Sequence, residues 1–144
     1  MPAAGLQNTG TRRTLYSAAV AAAATLTGTV VKGLAGAKGL IIQANFTYGS
    51  GGTTCKAYVQ TSLDGGVTWI DIACFAFTTS SARRVSAVVA DPATALTANT
   101  IPGDGVLTDN TILNGVIGDI VRVKVISVGT YAASTLAIDM VAKG

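Results

Sequence analysis

The chain has 144 residues, of which 49% are hydrophobic and 12% are charged, about half the charged share of an ordinary soluble domain. It contains no His and no Glu, so acid–base catalysis and His-dependent nucleophilic catalysis lack their usual groups. The two cysteines are too few for a zinc site, and a net charge of +3 is too small to indicate nucleic-acid binding. We therefore predict that the protein is not an enzyme and has no cofactor, no metal site and no specific nucleic-acid partner.

The N-terminal region predicts an extended start followed by strands. Residues 1–12 are small and polar and indicate an extended arm. The pair Arg12-Arg13 then precedes an Ala-rich stretch, in which we expect strands over 13–21 and 24–32, with one helix as the alternative. A basic pair before an apolar run is also typical of a signal peptide, but this run is short and no convincing cleavage site follows it. It is also interrupted by polar residues, so we expect no membrane partner.

The predicted fold is centred on a hairpin over residues 53–77, preceded by an alternating strand over 40–48. The turn of the hairpin contains Asp64-Gly65-Gly66. Glycine tolerates positive φ, and the aspartate carboxylate can accept bonds from nearby backbone N–H groups.

A four-residue loop over 63–66 would fix the register of this hairpin. The predicted opposed pairs are Thr61 with Thr68, Val59 with Ile70, Ala57 with Ile72 and Cys55 with Cys74. Because the only two cysteines face each other in this register, a disulfide between Cys55 and Cys74 is feasible. Two buried thiols on a core face are the alternative.

The turn from Ser62 to Trp69 matches the Asp-box pattern S-x-D-x-G-x-T-W and resembles the Asp boxes of sialidases and related propellers. In those proteins the motif recurs once per blade and stabilises a hairpin. This chain has one copy and is too short for a propeller of at least four four-stranded blades. The resemblance therefore implies a structural role alone, with Asp64, Gly65 and Gly66 shaping the turn and Trp69 packing beside it.

The C-terminal half predicts short strands separated by irregular segments. A strand over 85–90 follows Arg83-Arg84, and the long irregular segment over 93–105 is an expected interaction surface. Asn114-Gly115 predicts a hairpin within 111–117. We expect the remaining strands over 119–128 and 134–143. In the first of these the valines face the core, and Arg122 and Lys124 face solvent or a partner.

These elements predict an all-β fold, namely an antiparallel β-sandwich that is jelly-roll-like and has eight or nine short strands. We expect a single domain over 13–144 that follows the N-terminal arm.

Few charges and many small apolar residues indicate a surface that neighbouring molecules cover. In its low charge, its Ala, Gly, Thr and Val content, its arm and its single Asp-box hairpin, the chain resembles small β-sandwich proteins of tailed-phage virions, and among them capsid decoration (cement) proteins. The resemblance implies a homo-oligomer, with a trimer favoured. It would bind the major capsid protein or another virion protein, in a virion assembled in the host cytoplasm. The expected partner contacts are the arm, the 93–105 loop and the arginines Arg12, Arg13, Arg83 and Arg84.

The sequence is also compatible with two alternative functions. A head–tail or tail structural protein fits the same features. A carbohydrate-binding β-sandwich module is the other, in which exposed Tyr58 and Trp69 would stack on sugar rings. For Trp69 the competing interpretation is packing into the hairpin.

Overall fold

The predicted alternation of strands and turns forms ten antiparallel β-strands in the computed structural model, which describes residues 10–91 and 103–144. No helix occurs in these two ranges, so the helix alternative for 13–32 is wrong. The second predicted strand, over 24–32, is shorter than expected and ends at Thr27. The strands are β1 Arg12–Val20, β2 Ala24–Thr27, β3 Gly39–Thr47, β4 Ser50–Gly51, β5 Thr54–Ser62, β6 Ile70–Phe77, β7 Ala82–Val89, β8 Ile120–Val128, β9 Tyr131–Ala132 and β10 Ser134–Lys143.

Two four-stranded sheets face each other across one core. Sheet I has the order β1-β10-β3-β7, sheet II has the order β2-β8-β5-β6, and β4 pairs with β9 in a small third sheet. When β4 and β9 are left aside, the eight long strands lie in the orders 1-8-3-6 and 2-7-4-5. The strands therefore form the antiparallel pairs β1–β10, β2–β8, β3–β7 and β5–β6, which make one long ribbon that ends at the β5–β6 hairpin. This ribbon is folded over so that its pairs alternate between the two sheets. This is the jelly-roll topology, which confirms the predicted fold class.

The core is built by every second side chain of the strands. In β8 the side chains of Val121, Val123 and Val125 are buried. In β10 the buried residues are Ser134, Leu136, Ile138, Met140 and Ala142. The predicted core face of β8 is confirmed. Burying each large apolar side chain contributes about 1.5–3 kcal/mol.

The register of the β5–β6 hairpin differs from the predicted one. Thr61 pairs with Ile70, and Cys55 pairs with Phe77, so opposed residues are displaced by two positions near the turn and three positions farther away. The loop is longer than four residues, because side-chain bonds close it instead of a tight turn. A bulge around Ile72 then adds one residue to β6 and exchanges the faces beyond it.

This register also corrects the predicted disulfide. Cys55 lies opposite Phe77 in the core, whereas Cys74 lies opposite Tyr58 on the outer face of sheet II. The two thiols are therefore on opposite faces of one sheet, and both are free. Burial raises the pKa of each thiol to about 11, which keeps both protonated at neutral pH.

Two expected irregular regions lie partly outside the described residues. Residues 1–9 of the arm and residues 93–102 of the long loop belong to those parts. At the arm's end, the Gly10 N–H donates to the Ala142 carbonyl at 2.7 Å, and Arg12 is the first residue of β1. The sheet therefore begins before residue 13.

The segment 103–119, here called the strap, contains no hairpin at Asn114-Gly115, and that prediction is wrong. Its hydrogen bonds go to other strands. The Leu113 N–H donates to Ile72, and the Thr111 carbonyl accepts from Cys74, both at 2.9 Å. These bonds occupy the outer edge of β6, which would otherwise be open to pairing.

Candidate interaction surfaces

The Asp-box turn is held by a compact set of local hydrogen bonds. Asp64 Oδ1 accepts the backbone N–H groups of Val67 at 3.1 Å and Thr68 at 2.9 Å, and Oδ2 accepts the Thr68 hydroxyl at 2.5 Å. The Ser62 hydroxyl donates to Asp64 Oδ1 and accepts the Gly66 N–H. The Thr68 hydroxyl, then its backbone N–H and the Ser62 hydroxyl, lower the pKa of Asp64 to about 2. The structure thus places Asp64 in a turn-closing role.

Trp69 packs against the sheet instead of standing free. The Arg122 guanidinium carbon lies 4.1 Å from the centroid of the Trp69 ring, within the range of a cation–π contact. Gly66, at φ 95°, lies against the edge of the indole. Tyr58 is only 5% exposed, so the exposed aromatic pair that the carbohydrate-binding alternative requires is not present.

A buried carboxylate on β6 holds the strap on sheet II. Asp71 is fully buried and accepts three consecutive backbone N–H groups. Its oxygens lie 2.9 and 3.0 Å from the Gly105 nitrogen, 2.7 Å from the Val106 nitrogen and 3.0 Å from the Leu107 nitrogen. Gly105 has a φ of 85°, a left-handed conformation that glycine adopts without strain. The strap therefore forms a cradle of N–H groups around one anionic side chain.

Gln60 extends this arrangement across the outer face of sheet II. Its amide donates to Asp71 at 2.9 Å and to Asp104 at 2.6 Å, and its carbonyl accepts from Arg122 at 2.8 Å. Lys124 completes the set by donating to Asp104 at 3.0 Å. Burial raises the pKa of Asp104, but the hydrogen bonds from Gln60 and Lys124 outweigh it, so this pKa lies below its usual value.

This polar cluster joins the strap to sheet II through hydrogen bonds and ion pairs. No buried side-chain nitrogen or oxygen lacks a hydrogen-bond partner in the described ranges. Arg122 and Lys124 contact Asp104 of the strap and their side chains are only 17% and 18% exposed, so the prediction that they face solvent or a partner is wrong. The sequence offered no local signal for this cluster, because Asp71 and its backbone donors are more than thirty positions apart.

The aspartates of the strap are paired separately. Asp104 contacts Lys124, whereas Asp109 contacts Lys56 at 2.8 Å. Within residues 10–91 and 103–144, no three His, Cys, Asp or Glu side chains are grouped closely enough to hold a metal ion.

The two arginine pairs lie far apart on sheet I. Arg12 and Arg13 open β1, and Arg83 and Arg84 open β7, which are the two opposite edge strands. Arg84 turns inward, with its guanidinium carbon 5.4 Å from the centroid of the Phe77 ring. Arg83 is exposed at the rim of the outer face. The structure therefore does not combine the four predicted contact residues into one basic site.

The outer face of sheet I carries mostly uncharged side chains, and its cations Arg12, Arg83 and Lys143 lie on the edge strands or at a strand end. Ile41, Val85 and Val89 on this face are 39%, 60% and 38% exposed. The single carboxylate that the described strands place there is Asp139, which accepts the Thr14 hydroxyl at 2.9 Å. Other members of the face are Ser17 and Ala19 of β1, Thr135 and Ala137 of β10, Asn45 and Thr47 of β3, and Ala87 of β7.

Comparison with known proteins gives no relative for this chain. No protein-family model, curated protein sequence or solved structure matches it. Among the described residues, no helix is long and apolar enough to span a bilayer.

Proposed function

We propose that this protein is a structural component of a tailed-phage virion, and specifically a capsid decoration protein that binds the capsid lattice as a homo-oligomer. A trimer is the favoured oligomer, and the major capsid protein or another virion protein is the partner. The observation that carries the proposal is the exposed outer face of sheet I, with its small and mostly uncharged side chains.

The two sheets differ in a way that supports association through sheet I. The strap covers the outer face of sheet II with the chain's own residues, whereas the outer face of sheet I is exposed. Small side chains lose little rotamer entropy when another surface covers them, and few charges there need to be desolvated. A face of this composition is therefore well suited to close contact with another protein.

The topology adds support by analogy alone. Jelly rolls occur in viral capsid domains and also in lectins, so the fold by itself does not select a function. A head–tail or tail structural protein would use the same face of sheet I and is the second candidate. The carbohydrate-binding alternative is weaker, because Tyr58 is buried and Arg122 lies over the Trp69 ring.

The first test is the mass of the purified chain by light scattering over a series of concentrations. We expect a trimer or another closed oligomer that dissociates on dilution. A chain that stays monomeric at every concentration would contradict the self-association part of the proposal.

The second test is the position of the protein in virus particles produced with its gene. Gold-labelled antibodies against the chain should decorate the capsid shell in electron micrographs. Label confined to the tail or the neck would favour the head–tail or tail alternative, and unlabelled particles would contradict a virion role.

A further inference from the structure

We propose that β7, the edge strand of sheet I, pairs with β7 of a second copy of the chain in antiparallel orientation about a two-fold axis at Val85. This inference rests on the self-association proposed above, and it names one surface through which that association occurs. A two-fold contact produces a dimer, so the closed oligomer is then a dimer or a pair of trimers and not a single trimer. The proposed contact joins two copies of sheet I into one continuous sheet.

The hydrogen-bonding groups of β7 alternate between β3 and the open edge. The Ala90 N–H donates to Lys38 in continuation of the β3–β7 ladder, so even-numbered residues of β7 bond β3. Odd-numbered residues therefore direct their N–H and C=O groups away from the sheet. At Val89 these groups are taken by the strap, through the Asn114 side chain and the Gly115 N–H.

The free part of the edge is thus short and well defined. It consists of Arg83, Val85 and Ala87, whose outward backbone groups have no hydrogen-bond partner among the described residues. The other edges are less available. The strap forms hydrogen bonds with the outer edge of β6. At the edges of β1 and β2, Gly28 lies so close to the Leu15 carbonyl that a methyl group would not fit between them.

A two-fold axis at Val85 makes this edge complementary to itself. Val85 then faces Val85 of the second copy, and Arg83 faces Ala87 of the second copy. All three outward residues fall in hydrogen-bonded pairs, so each N–H meets a C=O and the contact closes six hydrogen bonds. A displacement by one residue would place inward-bonding residues opposite outward ones and lose these bonds.

The side chains are compatible with this register. Arg83 lies opposite alanine and not opposite another cation, and Arg84 is already withdrawn over Phe77. The two Val85 side chains, each 60% exposed in the single chain, meet across the axis as a β-branched pair. On the inner side, a cleft of about 300 Å³ lined by Cys74, Asn110, Arg84 and Ser86 leaves space for the side chains of the added strand.

Amide hydrogen exchange measured by NMR tests the inference directly. In dilute solution the amides of Val85 and Ala87 should exchange fast, while those of Ser86 and Val88 are protected by β3. Between about 20 µM and about 1 mM, the odd-numbered amides should gain protection by about tenfold or more, because pairing buries them. Exchange at Val85 and Ala87 that stays fast while the mass of the particle grows would overturn the edge contact but leave self-association in place.

Two substitutions at one position separate the backbone from the side chain. Val85→Pro removes an outward N–H that no hydrogen bond among residues 10–91 and 103–144 uses, whereas Val85→Thr keeps it. With far-ultraviolet circular dichroism confirming the fold, Val85→Pro should weaken the proposed dimer by about tenfold or more in light scattering, and Val85→Thr should leave it unchanged. Equal association by both variants would overturn the inference, and a monomeric wild type at every concentration would overturn the proposed self-association as well. If Val85→Pro does not fold, the exchange experiment on the wild type decides alone.

Discussion

Asp64 and Asp71 are both carboxylates that accept several backbone N–H groups, yet they differ in burial and in the distance along the chain to their partners. Asp64 is exposed, and its partners lie within four positions. Asp71 is fully buried, and its backbone donors lie more than thirty positions away. The role of Asp64 could therefore be predicted from a short motif, whereas the role of Asp71 depends on how the strap crosses sheet II.

The lowered pKa of Asp64 predicts a specific pH dependence of stability. Its folded-state pKa of about 2 lies below the ordinary value of 3.8, so the folded state favours the charged form. The resulting stabilisation is complete above the ordinary value and is lost as the pH falls through about 2. In urea denaturation, Asp64→Asn should lower the midpoint at pH 6, and the difference from the wild type should shrink towards pH 2.

The matched control for this prediction is Asp119→Asn, which changes an exposed carboxylate to which the structure gives no side-chain hydrogen bond. It should shift the midpoint little at either pH. A difference between Asp64→Asn and the wild type that is the same at pH 6 and at pH 2 would show that the carboxylate charge does not close the turn.

The β5–β6 hairpin shows that sequence patterns specify where strands lie but not how they are paired. Strand positions were predictable, because alternation and glycine-rich turns mark them locally. The register was not, because it depends on a loop closed by side chains and on the bulge around Ile72. One extra residue exchanges the faces of a strand, and this is why the predicted opposition of Cys55 and Cys74 is wrong.

Substitution of Asp71 tests whether this residue anchors the strap. Asp71→Asn replaces one carboxylate oxygen with an NH₂ group that faces N–H donors in either orientation of the amide. At the Oδ2 position these are the strap amides of Gly105, Val106 and Leu107, and at the Oδ1 position they are Gln60 and Gly105. We expect a loss of about 3 kcal/mol in the free energy of unfolding, because the substitution leaves buried N–H groups without acceptors. Guanidinium denaturation measures the loss, and hydrogen exchange of the three strap amides should accelerate.

Asp104→Asn is the matched control in the same cluster. The Asp104 side chain is 46% exposed, and the oxygen of an asparagine can still accept from Gln60 and Lys124, so the loss should stay below about 1 kcal/mol. Similar losses for both substitutions would contradict the conclusion that Asp71 is the anchor of the strap.

At the scale of the whole molecule, the jelly roll follows from one ribbon rolled around the β5–β6 hairpin. The sequence predicted this class because each pair of strands is antiparallel and joined by turn residues. It could not indicate which sheet face is left exposed, because the segment that covers sheet II comes from a distant and irregular part of the chain. The low charge of the chain can be interpreted only once the exposed face is known, because uncharged side chains predominate on the outer face of sheet I.

A charge placed at the centre of the exposed outer face of sheet I tests whether this face takes part in association. Ala137 lies near its centre, between Ser17 of β1 and Asn45 of β3. Ala137→Lys adds a long, strongly hydrated cation there, which must be desolvated or displaced before another surface can approach. The stability of the single chain should change by less than about 0.5 kcal/mol, because the side chain points to solvent. Association measured by light scattering should weaken by about tenfold or more if this face forms the contact.

Val67→Lys, at an 80% exposed position in the Asp-box turn, adds the same charge away from the face and should associate like the wild type. If Ala137→Lys also associates like the wild type while Val85→Pro does not, the copies meet through the β7 edge alone, and the face of sheet I remains free for a different partner.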